Sequence, residues 1–142
     1  MSVKLNQQAT LDALHARNKG TMSDFLGIEF TEIGENYLCG KMPVTERSIQ
    51  PLGILHGGAN VVFAETLGSV AANFAVDREK YYCVGLEVNA NHLRPVPKGQ
   101  WIYGRAEAIH LGRTTQVWEI RITNEEGKLT CISRLTMAVK ER

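Results

Sequence analysis

Cysteine is scarce and scattered in this chain. Its three copies, Cys39, Cys83 and Cys131, form no CxxC pair. An odd, dispersed set fits neither a disulfide framework nor a zinc site, and suits a reducing cytoplasm. Charge of one sign is also missing: 16 Lys and Arg stand against 15 Asp and Glu, a net charge of +1. No basic field exists to hold a polyanion, so nucleic-acid binding is disfavoured. A bilayer span needs roughly 20 apolar residues. The most apolar run, Val61 to Val76, is shorter than that and contains Glu65 and Asn73. Residues 1–20 lack the apolar core of a signal peptide. The four histidines (His15, His56, His92, His110) show no metal-ligand spacing such as HExxH. GxGxxG, P-loop and GxSxG motifs are absent, as are repeats and linkers. Residues 1–142 are therefore expected to form one cytoplasmic domain without metal or cofactor.

The remaining pattern is that of an ordinary globular chain, 44% hydrophobic and 22% charged. Thr10 to Asn18 predicts a short helix, with Leu11 and Leu14 on one side and Gly20 ending it. Ile28, Phe30 and a displaced Ile33 suggest a first strand. Gly34-Glu35-Asn36 turns the chain, and Tyr37 to Met42 returns before Pro43. Thr45 to Leu55 reads as a loop. His56-Gly57-Gly58 opens a helix running to about Val76, followed by a charged turn at Asp77 to Lys80. From there the pattern becomes extended. Val84, Leu86, Val88 and Ala90 alternate. Trp101 to Leu111 is a strand with Arg105 and Glu107 on one side. Trp118, Ile120 and Ile122 alternate with Glu119 and Arg121. A hairpin at Asn124 to Gly127 leads to a last strand, Leu129 to Val139.

Short turns favour antiparallel pairing. The long helix is apolar on nearly every side and so must be enclosed. A curved antiparallel sheet wrapped around one helix, an α+β architecture, satisfies both.

Glu65 is the sharpest chemical signal, a carboxylate inside a helix expected to be buried. Burial without partners raises a carboxyl pKa, which makes a general base or nucleophile near neutral pH. The plainer alternative is a Glu reaching solvent or an Arg at a helix edge. Val61, Glu65, Ser69 and Ala72 share one face. Ser69 is placed to hydrogen-bond Glu65 or orient a water; alternatively Ser69 and Gly68 only permit close packing. At the helix start, unpaired N–H groups and the dipole form a site for negative charge. Gly57 and Gly58 let an oxygen approach them, as a developing oxyanion requires. The plainer reading is a glycine pair needed for a tight turn.

Gly57 and Glu65 lie about 12 Å apart along the axis, too far for one reacting carbonyl. A symmetric dimer in which Glu65 comes from a second subunit resolves this. His56 is a polar cap, a base or an orienter, with a loop organiser the favoured reading; Gln50 is read as an amide donor in the preceding loop, and His92 as an inward histidine at a strand end. Arg94, Lys98, Arg113 and Arg134 lie near strand ends, where each is either solvated or holds a ligand phosphate.

Gln50-Pro51-Leu52-Gly53-Ile54-Leu55-His56-Gly57-Gly58-Ala59, then Val62, Ala64-Glu65-Thr66 and Gly68-Ser69, resembles the hotdog-fold acyl-CoA thioesterases. The similarity is to the phenylacetic-acid-degradation type, and within it to bacterial 1,4-dihydroxy-2-naphthoyl-CoA thioesterases. Val84 to His92, His110 to Arg113, Gln116-Val117-Trp118 and Ser133 to Thr136 match as well. The resemblance implies a sheet wrapped on a central helix and sites at a dimer interface, usually within a tetramer. It implies Glu65 as the catalytic carboxylate, the Gly57 N–H as the group polarising the thioester carbonyl, Gln50 assisting and His56 supporting. Ser69 would place water or the leaving group, with His92 near the acyl pocket and Gly58 among the substrate-binding residues. Arg94 and Arg113 would contact the nucleotide end of CoA. Substrates implied are acyl-CoA, with aromatic acyl groups favoured, or an acyl or aryl carrier protein. A hotdog dehydratase and a non-catalytic acyl-CoA binding module are the competing readings.

Overall fold

The structure is a computed structural model that describes residues 9–142. The part of the signal-peptide reading that falls on residues 1–8 lies outside the described residues. Helix α1 (Leu11–Asn18) starts where Thr10 caps it, its hydroxyl accepting from the Ala13 N–H at 3.2 Å. Leu14 is buried, and the His15 Nε2 accepts from the Phe30 N–H at 2.9 Å. Gly20 follows at φ +77°, a conformation that ends a helix cheaply only with glycine. A one-turn helix, α2 (Met22–Phe25), comes next and was not expected. Its four residues are too few to show a period.

Strands β1 (Glu29–Ile33), β2 (Tyr37–Pro43), β3 (Tyr81–His92), β4 (Trp101–Leu111), β5 (Thr115–Thr123) and β6 (Leu129–Glu141) form one sheet, with α3 (Gly57–Phe74) between β2 and β3. The strand order is β1-β2-β4-β5-β6-β3, and every pairing is antiparallel. A bulge between Phe30 and Glu32 accounts for the displaced Ile33. The sheet wraps α3 as expected. Phe63, Ala64, Leu67 and Ala71 of the helix pack on Leu38, Met42, Ile102, Trp118, Ile120, Ile122, Leu135 and Met137. Each large side chain buried here contributes about 1.5–3 kcal/mol.

Glycines set how closely helix and sheet approach. A Cβ at Gly104 would lie 2.6 Å from Leu67, and one at Gly68 would lie 2.6 Å from Leu135. Gly68 is thus a close-packing glycine. Asn73 ties the far end of α3 to β3, its Nδ2 donating to the Ser69 and Cys83 carbonyls and its Oδ1 accepting from the Cys83 N–H at 2.9 Å.

Two expectations about exposure need correction. In β3 the alternation does not place Val84 and Leu86 inward; they are 42% and 62% exposed. A bulge between Gly85 and Glu87 shifts the phase, so Cys83 and Gly85 face α3 on one side of it and Val88 and Ala90 pack inward on the other. Nor is α3 enclosed all round, because the sheet covers only one side. Val61, Val62, Glu65, Thr66, Ser69 and Val70 form a half-buried flank. The helix also ends at Phe74, two residues before Val76.

Candidate active site

The loop before α3 is shaped by backbone hydrogen bonds. The His56 N–H donates to the Ser48 carbonyl at 2.8 Å, and the Gln50 N–H to the Ile54 carbonyl at 2.9 Å. Bridges Ile49–Leu55 and Ile54–Pro97 add short extended pairs to the expected loop. Within it the Gln50 Oε1 accepts from the Leu52 N–H. That leaves the Gln50 amide nitrogen as a donor.

His56 caps α3: its Nδ1 accepts from the Gly58 N–H at 2.8 Å. The imidazole thus ties the loop to the first turn of the helix. The Gly58 N–H is thereby occupied inside the chain. The helix-start donor that remains is the Gly57 N–H, which has no hydrogen-bond partner among the described residues.

A hollow of about 360 Å³ opens at this point. Gln50, Gly57, Asn60, His92 and Arg94 line it with apolar Ile54, Leu93 and Val96. His92 reaches it from the end of β3, and its Nε2 lies 3.0 Å from where a Gly57 Cβ would stand. Glycine at 57 therefore leaves the room that the imidazole occupies.

Glu65 lies elsewhere. It lines a second hollow of about 310 Å³, with Ser69, Thr66 and Val70 on α3 and Leu14, Arg17 and Ser23 on the segment that crosses it. A 3.1 Å hydrogen bond between the Ser23 and Thr66 hydroxyls fixes α2 against α3 beside this hollow. Glu65 is half-buried in the single chain, not enclosed. On its sheet side the carboxylate meets Gly85: a Cβ there would lie 2.6 Å from the Glu65 Oε1. Ser69 and Glu65 share the hollow as their spacing predicts.

The two hollows are not continuous in one chain, as the axial separation of Gly57 and Glu65 requires. The arginines are separated too. Arg94 sits near the start of β6, its Nη1 donating to the Leu129 carbonyl at 2.6 Å. Arg113 is in the β4–β5 turn, beside the opposite end of β6. Lys98 pairs with Glu46 at 3.6 Å, and Arg134 faces the outer side of the sheet with Asn89, Asn91 and Glu119. Among the described residues no group of three or more His, Cys, Asp or Glu is placed to hold a metal ion. No helix among them is long and apolar enough to cross a membrane.

Two contributors were not read from the sequence. Asn60, 5% exposed, hydrogen-bonds His92 Nδ1 at 3.1 Å. Its signal was a poor helix former one turn inside an apolar helix. Gly85 was passed over as well, although an isolated glycine within a strand marks a close approach.

The thioesterase superfamily sequence model matches residues 52–131. The 1,4-dihydroxy-2-naphthoyl-CoA hydrolase of Escherichia coli is 47% identical over 133 residues, 94% of this chain and 96% of that protein. A proofreading thioesterase of Cronobacter turicensis is 47% identical over 130 residues, 92% of this chain and 93% of that protein. The crystal structure of a mutant thioesterase from Pseudomonas aeruginosa superposes with a TM-score of 0.94 at 50% identity, covering 99% of this chain and 100% of that one.

Proposed function

This chain belongs to the thioesterase superfamily and is a thioester hydrolase of hotdog fold, and from that premise we propose that it cleaves aromatic acyl-CoA thioesters at a site shared by two subunits. The observation that carries the reading is the pairing of a free helix-start donor at Gly57 with a lone carboxylate, Glu65, two turns along the same helix. The first polarises a carbonyl, and the second attacks it or activates water.

One chain holds these groups in separate hollows, so the dimer supplies the complement. Strand β3 lies at the sheet edge with Tyr82, Val84 and Leu86 exposed. An exposed apolar edge of this kind favours pairing with a second copy. Antiparallel two-fold pairing of β3 with its copy sets one subunit's His92 end beside the other's Tyr81 end. Glu65 of one subunit then approaches Gly57 of its partner, and the Arg94 and Arg113 ends meet. A pair of such dimers makes the tetramer.

The Gly57 N–H, aided by the Gln50 amide, holds the thioester oxygen, and His56 keeps the loop in place. His92 and Gly58 border the acyl end, and Arg94 and Arg113 take the phosphates of CoA. Two routes use Glu65. As nucleophile, its oxygen bonds to the carbonyl carbon and the C–S bond breaks. The CoA thiolate leaves and takes a proton, and water cleaves the anhydride to restore the carboxylate. As general base, Glu65 takes the proton of a water positioned by Ser69, and the collapsing oxyanion expels the thiolate, which receives that proton. Both routes give the free acid and CoA.

The similarity to the Escherichia coli hydrolase supports 1,4-dihydroxy-2-naphthoyl-CoA as substrate, which would place the enzyme in menaquinone biosynthesis. The similarity to the proofreading thioesterase supports a second reading, aryl groups on a carrier protein. Both thioesters present the same phosphopantetheine arm. Thiol release from 1,4-dihydroxy-2-naphthoyl-CoA, benzoyl-CoA, hexanoyl-CoA and a benzoyl-loaded aryl carrier protein separates them. A higher kcat/KM on the carrier protein selects proofreading. Binding of every thioester with no release from any contradicts hydrolysis.

A further inference from the structure

Asn60 is used by none of the roles above, yet it is 5% exposed and sits between α3 and the end of β3. Its side chain has one partner, the His92 Nδ1 at 3.1 Å, and its Oδ1 is buried with none. Helices bury an amide rarely, because each unmet polar atom costs stability. The orientation of the amide decides the histidine. With Nδ2 toward His92, Nδ1 accepts and the ring proton lies on Nε2. The reversed amide would instead orphan the NH2 group, and a buried unpaired N–H is rarer than an under-satisfied C=O. The Asn60 backbone is fixed as well, since its N–H donates to the His56 carbonyl at 3.3 Å.

The other end of the ring lies at the helix start. Nε2 lies 3.0 Å from the Cβ position that Gly57 leaves empty, in the hollow lined by Gly57 and Gln50.

We propose that Asn60 is a positioning residue that holds His92 as the neutral imidazole protonated on Nε2, making Nε2–H a fixed donor to the thioester oxygen beside the Gly57 N–H. The proposal rests on the thioesterase reading for the identity of the acceptor. The tautomer itself stands apart from that reading. As the carbonyl oxygen gains negative charge, a donor already aimed at it needs no reorganisation. Without Asn60 the imidazole divides between two tautomers and rotates, and part of the population presents a lone pair to the oxyanion.

Long-range 1H–15N correlation spectra of the whole protein at neutral pH read the tautomer directly. The proposal expects a proton-bearing Nε2 and a bare Nδ1 at His92 in the wild type, and a mixture in Asn60→Leu, which keeps the shape and removes the amide. Asn60→Asp, whose carboxylate accepts from Nδ1–H, moves a proton onto Nδ1. In Asn60→Leu kcat falls about tenfold, the worth of one hydrogen bond, with KM within about twofold. A wild-type His92 protonated on Nδ1 overturns the proposal. So does an unchanged tautomer in a Leu variant with wild-type circular dichroism. If the Leu variant does not fold, the wild-type and Asp spectra decide. A wild-type Nε2–H tautomer in a protein that releases no thiol from any thioester leaves the positioning intact and refutes the reaction.

Discussion

The Glu65 carboxylate rests against the backbone of Gly85, so closely that a Cβ on that glycine would come within 2.6 Å of Oε1. On the strand's side of the contact there is no side chain, so the carboxylate reaches the backbone directly. The obstructing atom is the far end of a flexible side chain, so the carboxylate gives way before the backbone does. Gly85→Ala is expected to leave thermal stability within about 1 kcal/mol of wild type. It should lower kcat at least tenfold by moving the carboxylate, since a misplacement of about 1 Å costs as much or more. Parallel calorimetry and thiol-release kinetics check this; full activity in a folded Ala variant would show that the contact does not position Glu65.

Gly57→Ala acts on the other hollow. The added methyl meets the His92 Nε2 at 3.0 Å, so the imidazole must give by a few tenths of an ångström while the residue-57 N–H remains. A loss of about tenfold in kcat is expected, less than the hundredfold or more of losing an oxyanion donor outright, because the imidazole is displaced and not removed. Kinetics on purified variant and wild type decide it.

Much of this arrangement was legible in the sequence. Helix α3 and its His-Gly-Gly start were plain from composition and period, and β4 to β6 from clean alternation around Trp118, Ile120 and Ile122. The separation of Gly57 from Glu65 followed from helix geometry alone. What escaped was non-local. The bulge after Gly85 inverts the faces of Val84 and Leu86; the isolated glycine hints at an irregularity, but the phase shift itself is set by the pairing with β6. Helix α2 is too short for periodicity and is held by Ser23 on Thr66, a contact across 43 residues. The half-burial of Glu65 reflects a sheet that covers one side of an apolar helix, while the sequence shows only that all sides are apolar. The Asn60–His92 pair spans 32 residues and needs the sheet to bring it together.

A shared site makes a prediction of its own. Glu65→Gln and Gly57→Pro chains, each inactive alone, are expected to regain activity when unfolded and refolded together. Random pairing places one intact Gly57 opposite one intact Glu65 in half of the dimers, and about a quarter of wild-type activity returns. No recovery, in mixtures that mass spectrometry shows to be mixed dimers, would assign both groups to one chain.

The cysteines bear on alkaline stability. Burial pushes the Cys83 and Cys131 thiols up to about 11, against 9.0 for a free thiol. In the unfolded chain both deprotonate first, so unfolding releases protons above the ordinary value. The stability tied to these thiols is complete below about pH 9 and is lost as pH rises toward about 11. The melting temperature is expected to fall across that window, and less steeply in Cys83→Ala. Equal slopes in the two proteins would remove the thiol from the explanation.

The most direct test of the central claim is thiol release from an aromatic acyl-CoA by wild type beside Glu65→Gln, with circular dichroism confirming that the variant folds. The substitution keeps the shape, replaces one acceptor oxygen by an amide donor, and removes the negative charge that attacks or takes the proton. Turnover in the variant is expected to fall at least a hundredfold, the loss of a principal catalytic group. Turnover near the wild-type rate in a folded Glu65→Gln protein would contradict the account.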